Sequence, residues 1–226
     1  FTHRIESAIA TGSWIGERSG VTQNMDKTNY LAMLSQLQRV SSMLPGEQEN
    51  FLARTLHPTH YGRFCPTETP EGTEIGLRKN LAILSKISTF QEINEQDLMK
   101  KFLSLGLQKE SGTDVFLNGR AIGFASNPDE FAKKVRGARR NSELLKELSV
   151  RFDPILNVVT MSTEVGRVLR AVVVVENGAS KLKDGHLVLL EENKLTWKDL
   201  VDQGIIEYID AAEEDNALVA LYQKEI

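Results

Sequence analysis

LHPTHYGRFCPTETPEGTEIGLRKN, residues 56–80, follows neither helical nor strand periodicity. It holds three of the chain's six prolines, three of its sixteen glycines, its single cysteine and two of its four histidines. Pro58, Pro66 and Pro70 each remove a backbone donor and bias the preceding residue away from helix, while Gly72 and Gly76 admit backbone angles closed to other residues. A flexible linker would be rich in Ser and Gly and free of bulk. Here Tyr61, Phe64, Ile75 and Leu77 require burial, and His57, His60, Arg63, Glu68, Glu71, Arg78 and Lys79 require partners. The stretch reads as a built loop that makes sense only inside a larger framework.

With 226 residues the chain can bury a real core in one or two domains. At 41% hydrophobic and 26% charged residues it has an ordinary composition, and no apolar run approaches the roughly 18 residues of a membrane span. The first residues, Phe1-Thr2-His3-Arg4, carry neither an initiator Met nor a signal-type apolar core, so a piece of a longer protein is expected. A lone cysteine excludes an internal disulfide and a Cys-based zinc site, and suits a reducing cytoplasm. The net charge of −4 is uneven, near neutral through Ser88 and acidic beyond it. That balance argues against independent DNA binding but allows a fragment whose partners supply the basic surface.

Along the chain, Ile5, Ala8 and Ile9 predict the end of an amphipathic helix stopped by Gly12, followed by the turn-rich Gly16-Glu17-Arg18-Ser19-Gly20 and a packed Trp14. Asp26 or Thr28 is expected to cap a second helix running through Leu31, Leu34 and Leu37 to about Met43, ended by Pro45-Gly46. Residues 81–87 suit a short buried strand. Asn94 opens a helix stopped at Gly106, and Asn118-Gly119 between Val115-Phe116-Leu117 and Arg120–Phe124 is a type I′ hairpin signal. Asn127-Pro128-Asp129-Glu130 starts a helix with Phe131 and Val135 inward and Lys133, Lys134, Arg136, Arg139 and Arg140 outward, a solvated charged face before it is a phosphate or protein contact. Residues 155–161, 167–176 and 186–190 read as strands, the valine run at 172–175 as covered on both faces. Asn177-Gly178 is a turn, Thr196 caps a helix with Asp199, Trp197 and Leu200 pack, and residues 205–209 and 217–221 are expected to pair around an acidic turn.

The chain's own residues offer little chemistry. His57 and His60 have metal-pair spacing, but a zinc site needs three or four ligands, and Glu68 or Glu71 would have to complete the set across two prolines. The favoured reading has both imidazoles hydrogen-bonding backbone groups, and Cys65, beside Phe64 and Pro66, a packed thiol and not a nucleophile. Neither a dense D-x-D cluster for magnesium nor a GxxxxGK loop occurs. No catalytic residue and no metal site are expected within the chain.

The run His57-Pro58-Thr59-His60-Tyr61-Gly62-Arg63, then Cys65-Pro66 and Glu68-Thr69-Pro70-Glu71-Gly72, resembles the signature of the second-largest subunit of multisubunit DNA-dependent RNA polymerase, the counterpart of bacterial β. Gly76-Leu77-Arg78-Lys79-Asn80-Leu81 closes it in the archaeal and eukaryotic manner. Gly20-Val21-Thr22-Gln23 resembles the start of the fork segment, and Tyr208-Ile209-Asp210-Ala211 the end of a later external domain. The resemblance covers the whole chain. It implies an α+β fold in which a helical, irregular fork region (1–88) is followed by two small mixed domains, external 1 (89–176) and external 2 (177–226).

The resemblance also implies a place. The fork helix would lie beside the RNA–DNA hybrid, and the loop at 43–52, with Gly46, Glu47, Gln48, Glu49 and Asn50 at its tip, would face downstream DNA. Glu47 and Glu49 would repel phosphate, so a steric, strand-guiding role is expected of that tip. Gln23, Arg39, Asp26 and Ser41 are similar to positions of the bacterial rifamycin pocket, while Gln36 stands where the bacterial protein has His, so drug sensitivity does not follow. Gln23, Arg39, Arg54 and Glu71 are the expected nucleic-acid neighbours, and His57, His60, Arg63 and Pro70 the framework of the signature loop. Two Mg²⁺ ions would be held mainly by the largest subunit. The expected partners are that subunit, the other polymerase subunits, the DNA template and the RNA–DNA hybrid, with no membrane. The rival reading is an acidic stand-alone interaction module working through the basic helix.

Overall fold

A computed structural model describes residues 2–15, 18–20, 22–47, 49–92 and 94–226. Gly16 and Glu17 of the expected turn, Val21 of the upstream motif and Gln48 of the loop tip lie outside the described residues. The chain divides into two compact units, Phe1–Ile83 and Leu84–Ile226, and the architecture is α+β.

In the first unit the helix Thr2–Thr11 ends at Gly12, as its pattern predicts, and Ser13–Trp14 pairs antiparallel with Arg18–Ser19. Trp14 is half-exposed and does not pack as expected. The second helix is shorter than its apolar spacing suggested. It runs Tyr30–Leu37, and Asn29, not Asp26 or Thr28, caps it by accepting from the Ala32 amide. Asp26 instead accepts from the Thr28 amide and hydroxyl, which holds its carboxyl below the usual range. After Leu37 the chain turns into the strand Arg39–Ser41, which pairs with Arg78–Asn80, so backbone pairing overrides the helical period there. The apolar run at 81–87 is not one buried strand: Ile83 is fully exposed, and strand structure resumes only at Lys86–Ile87. Among the described residues of this unit the buried apolar side chains are Ala8 and Leu77, whereas Tyr30, Leu31, Leu37, Met43, Phe51 and Leu52 are exposed.

The second unit has the larger core. The strands Leu107–Gln108, Arg120–Ala125, Thr113–Leu117, Val158–Ser162 and Ser149–Asp153 form one sheet in that order, antiparallel except where Val158–Ser162 runs parallel to Thr113–Leu117. The helices Glu95–Leu105 and Pro128–Arg140 supply Leu98, Phe102, Phe131 and Val135 to a core with Val115, Leu148, Val150 and Val159. Burial of each large side chain contributes about 1.5–3 kcal/mol. Both helices begin at the expected Asn caps, and Gly106 ends the first in the left-handed region. Asn118 and Gly119 both take positive φ, as a type I′ turn requires.

A second sheet joins Ile206–Ile209, Val168–Val173 and Lys86–Ile87. Several expectations fail here. Residues 186–190 belong to a helix, Asp184–Glu191, and the partner of Ile206–Ile209 is Val168–Val173, not 217–221. The acidic turn is the helix Ala211–Glu214. In the valine run Val174 is buried but Val173 and Val175 are exposed, and Ile155 and Leu156 sit in an exposed turn before the strand at 158. Thr196 and Asp199 form the expected capping box with Leu200 buried, while Trp197 is partly exposed and donates to the Tyr208 hydroxyl at 2.9 Å.

Arg139, expected on a solvated face, is the largest fully buried side chain. It donates to Glu213 and Glu207 at 2.7 Å each and to the Leu148 carbonyl at 2.7 Å. Arg140 grips Glu207 from the other side at 2.7 and 3.0 Å. Burial opposes its charge, but the two carboxylates more than offset this and hold the Arg139 guanidinium charged; Glu207 lies below the usual carboxylate range despite its burial because two guanidiniums face it. Burial pushes Glu213 above that range in spite of Arg139. Only Lys133 and Lys134 keep the expected exposed role, paired with Asp129 and Glu130.

Candidate nucleic-acid interface

The signature loop closes on itself through its backbone. Cys65 donates to the Asn80 carbonyl at 2.8 Å, Ala82 to the Arg63 carbonyl at 3.0 Å, and Ser42 to the Leu77 carbonyl at 2.8 Å. Side chains complete the frame. Ser35, on the helix Tyr30–Leu37, donates to Glu68 at 2.6 Å, and the Thr69 hydroxyl donates to the Arg78 carbonyl while accepting from the Gly76 amide, both at 2.9 Å.

His57 and His60 flank the short 3-10 turn Pro58–His60 as reciprocal caps. The His57 amide donates to His60 Nδ1 at 3.2 Å, and the Thr59 amide to His57 Nδ1 at 3.3 Å. This is the expected use of both imidazoles. Burial, then the nearby Lys79 and His57, hold the His60 imidazole below its ordinary range. Phe64 packs edge-on against His60 with centroids 5.7 Å apart. Arg63 is buried and donates to the Thr59 carbonyl at 3.1 Å. Pro70 is half-buried and leads into Glu71, which is exposed and precedes the turn Gly72–Glu74 without capping it. Cys65 is half-buried, and hydrogen bonds from Thr67 and then Glu68 lower its thiol pKa. Among the described residues no three His, Cys, Asp or Glu side chains converge as a metal site would require.

Gln23 and Arg39 come together on a hollow of about 540 Å³. Residues 42–46 form one wall, and Glu74, Leu77 and Arg78 the other. Gln23 is anchored through its amide to the Gly20 carbonyl at 3.1 Å. Arg39 Nε is buried with no hydrogen-bond partner among the described residues. Arg78, which the sequence reading left as a group in need of a partner, is the residue it missed on this hollow. It pairs with Glu74, and its signal was the strand register that sets it opposite Ser41.

Arg54 and Glu71 are not part of that lining. Arg54, at the end of the helix Phe51–Arg54, donates from Nη1 to the Thr73 and Ile75 carbonyls at 2.7 and 2.9 Å and from Nη2 to the Gly46 carbonyl at 2.7 Å. Any phosphate contact by Arg54 would compete with these bonds.

Family models for RNA polymerase Rpb2 domains 3, 4 and 5 match residues 23–87, 115–176 and 197–226, in that order along the chain. Over 245 aligned residues the chain is 42% identical to DNA-directed RNA polymerase subunit Rpo2 of Sulfolobus acidocaldarius, covering 100% of this chain and 22% of that protein. It is 32% identical to DNA-directed RNA polymerase III subunit RPC2 of Saccharomyces cerevisiae, covering 100% of this chain and 21% of that protein. With DNA-directed RNA polymerase II subunit RPB2 of Encephalitozoon cuniculi it shares 30% identity over 99% of this chain and 21% of that protein. The chain thus spans about a fifth of the length of the relatives it matches. No helix among the described residues is long and apolar enough to cross a membrane. On these matches the chain belongs to the family of second-largest subunits of DNA-directed RNA polymerase, of which it carries the region of Rpb2 domains 3 to 5.

Proposed function

We propose that this chain is the part of a DNA-directed RNA polymerase that walls the active-centre cleft beside the RNA–DNA hybrid and the downstream DNA. One observation carries the reading: Gln23 and Arg39, far from Arg78 in sequence, share with it one hollow bounded by the loop at 42–46. Two guanidiniums, one of them paired with Glu74, and an amide on a concave surface suit backbone and shape recognition, which a wall that must accept any sequence requires. The exposed Glu71 fits a brace beside a base pair, since it cannot attract phosphate. The proposed regions are the fork (1–88), external 1 (89–176) and external 2 (177–226). Nucleotide addition would use Mg²⁺ held mainly by the largest subunit, leaving this chain inert on its own. Exposed Tyr30, Leu31, Met43, Phe51 and Leu52 in the first unit fit burial against other polymerase subunits.

No observation favours the rival interaction module, because Arg139 and Arg140 of its basic helix are consumed inside the chain. The test is made in reconstituted polymerase carrying the full-length subunit. A photo-crosslinker at Gln23 or Ser42 should label template DNA or nascent RNA, and Arg39→Ala should flatten the salt dependence of scaffold binding by about one unit of slope. An elongation complex that yields no crosslink from either position, with an unchanged slope, would overturn the assignment.

A further inference from the structure

The two walls of the Gln23–Arg39–Arg78 hollow are held together from behind by a residue that does not line it. Gly46 belongs to one wall, and Thr73 and Ile75 bracket Glu74 of the other. Arg54 spans them, giving Nη2 to the Gly46 carbonyl at 2.7 Å and Nη1 to the Thr73 and Ile75 carbonyls at 2.7 and 2.9 Å. Two glycines report how closely the backbones converge. A Cβ at Gly76, where φ is +74°, would lie 2.4 Å from the Arg54 carbonyl oxygen, and one at Gly46 would lie 3.2 Å from the Thr73 oxygen. The turn is therefore wrapped around Arg54 on both its main-chain and side-chain sides. A planar guanidinium can serve three acceptors in fixed directions, which the compact ammonium of lysine does less well.

We infer that Arg54 is a positioning residue: it ties the loop at 42–46 to the turn at 73–76, sets the separation of the hollow's walls, and acts on nucleic acid through Arg39 and Gln23 instead of through a phosphate contact of its own. Its consequence for nucleic acid rests on the reading proposed above, whereas the tie between the two segments does not. With three of its bonds directed at backbone carbonyls of the two segments, the guanidinium is oriented by the protein, so its removal alters the shape of the hollow more than the count of phosphate contacts.

The experiment compares wild type, Arg54→Ala, Arg54→Lys and Arg39→Ala in assembled polymerase with the full-length subunit. Hydrogen exchange of the amides in 42–47 and 72–77 is read first. Both Arg54 variants should speed it about tenfold or more, as loss of a hydrogen bond to a charged group implies, while Arg39→Ala leaves it unchanged. Binding of an RNA–DNA scaffold is then measured against salt. Arg54→Ala should weaken it and, because its effect passes through Arg39, should flatten the slope by no more than Arg39→Ala does. Wild-type exchange in Arg54→Ala together with a slope flatter by about one would overturn the inference and make Arg54 a phosphate ligand. Should Arg54→Ala fail to assemble, Arg54→Lys decides alone, and wild-type protection in it overturns the inference. Failure of the crosslinks from Gln23 and Ser42 would remove the nucleic-acid reading without touching the exchange result.

Discussion

Replacing Arg139 by Met should cost more stability than any surface change in the chain. Arg139 is 1% exposed, and its side chain carries three bonds of 2.7 Å to Glu213, Glu207 and the Leu148 carbonyl. The loss is unequal between the two carboxylates. Glu207 keeps both bonds from Arg140, at 2.7 and 3.0 Å, whereas Glu213, 2% exposed, keeps only two long contacts, from Arg136 Nε and the Val150 amide, each at 3.4 Å. The variant therefore leaves one buried carboxylate nearly unpaired, and removing one partner of such a pair costs about 3–5 kcal/mol. Burial already raises the Glu213 pKa, and without Arg139 it rises further. A carboxyl whose folded pKa lies above its unfolded value favours the fold when protonated, so the variant should be least impaired at low pH and lose stability as pH rises through the folded-state pKa of Glu213. Glu213→Gln in the Arg139→Met background removes the stranded charge and should recover most of the loss. Urea unfolding followed at Trp197, in a Trp14→Phe background so that the second unit alone reports, gives the numbers at several pH values. A loss under about 1 kcal/mol, or a double variant no more stable than the single one, would refute the assignment of this buried pair.

Gly76→Ala combines a positive φ of +74° with a Cβ 2.4 Å from the Arg54 carbonyl, so it should disrupt the first unit by more than the about 1–3 kcal/mol of backbone strain alone, read as lost incorporation into reconstituted polymerase. Asn127→Ala removes the cap that accepts from the Glu130 amide at 3.2 Å and should cost about 1 kcal/mol in urea unfolding. His60 has a lowered pKa in the fold, so it contributes stability that is present above the ordinary imidazole range near about 6.5 and is lost as pH falls through the folded-state value. His60→Gln should flatten that acid limb in a series of thermal melts, and an unchanged limb would show that His60 is not its source.

What could be read before the structure was mostly local. Asn94 with Gly106, Asn127 with Pro128, and Asn118-Gly119 each determine their own element within a few residues, and all stand where expected. The helix Asp184–Glu191 was misread because HLVLL is a short apolar run with no resolvable period, and none of its residues is fully buried. The helix Tyr30–Leu37 was overextended because its apolar spacing continues past Leu37 at Val40 and Met43, while the pairing that converts Arg39–Ser41 into a strand comes from residues 78–80, nearly forty positions away. Arg139 had a legible half: it follows Phe131 and Val135 at intervals of four, on the stripe that faces inward. Its counter-ions did not, since nothing in the sequence near it announces Glu207 or Glu213. In the candidate interface, the resemblance pointed to Gln23, Arg39, Arg54 and Glu71, of which the hollow gathers the first two, and register again hid Arg78 beside them.

Arg139 precedes Glu207 by 68 residues and Glu213 by 74. A ribosome therefore delivers the cation long before either anion. Until the last strand and the helix Ala211–Glu214 emerge, the Arg139 guanidinium on the helix Pro128–Arg140 is without both of its carboxylate partners. Closure of this layer is thus deferred during synthesis, and the nascent intermediate keeps the helix's inner face available to chaperones or to misassembly for several seconds at about 5–20 residues per second.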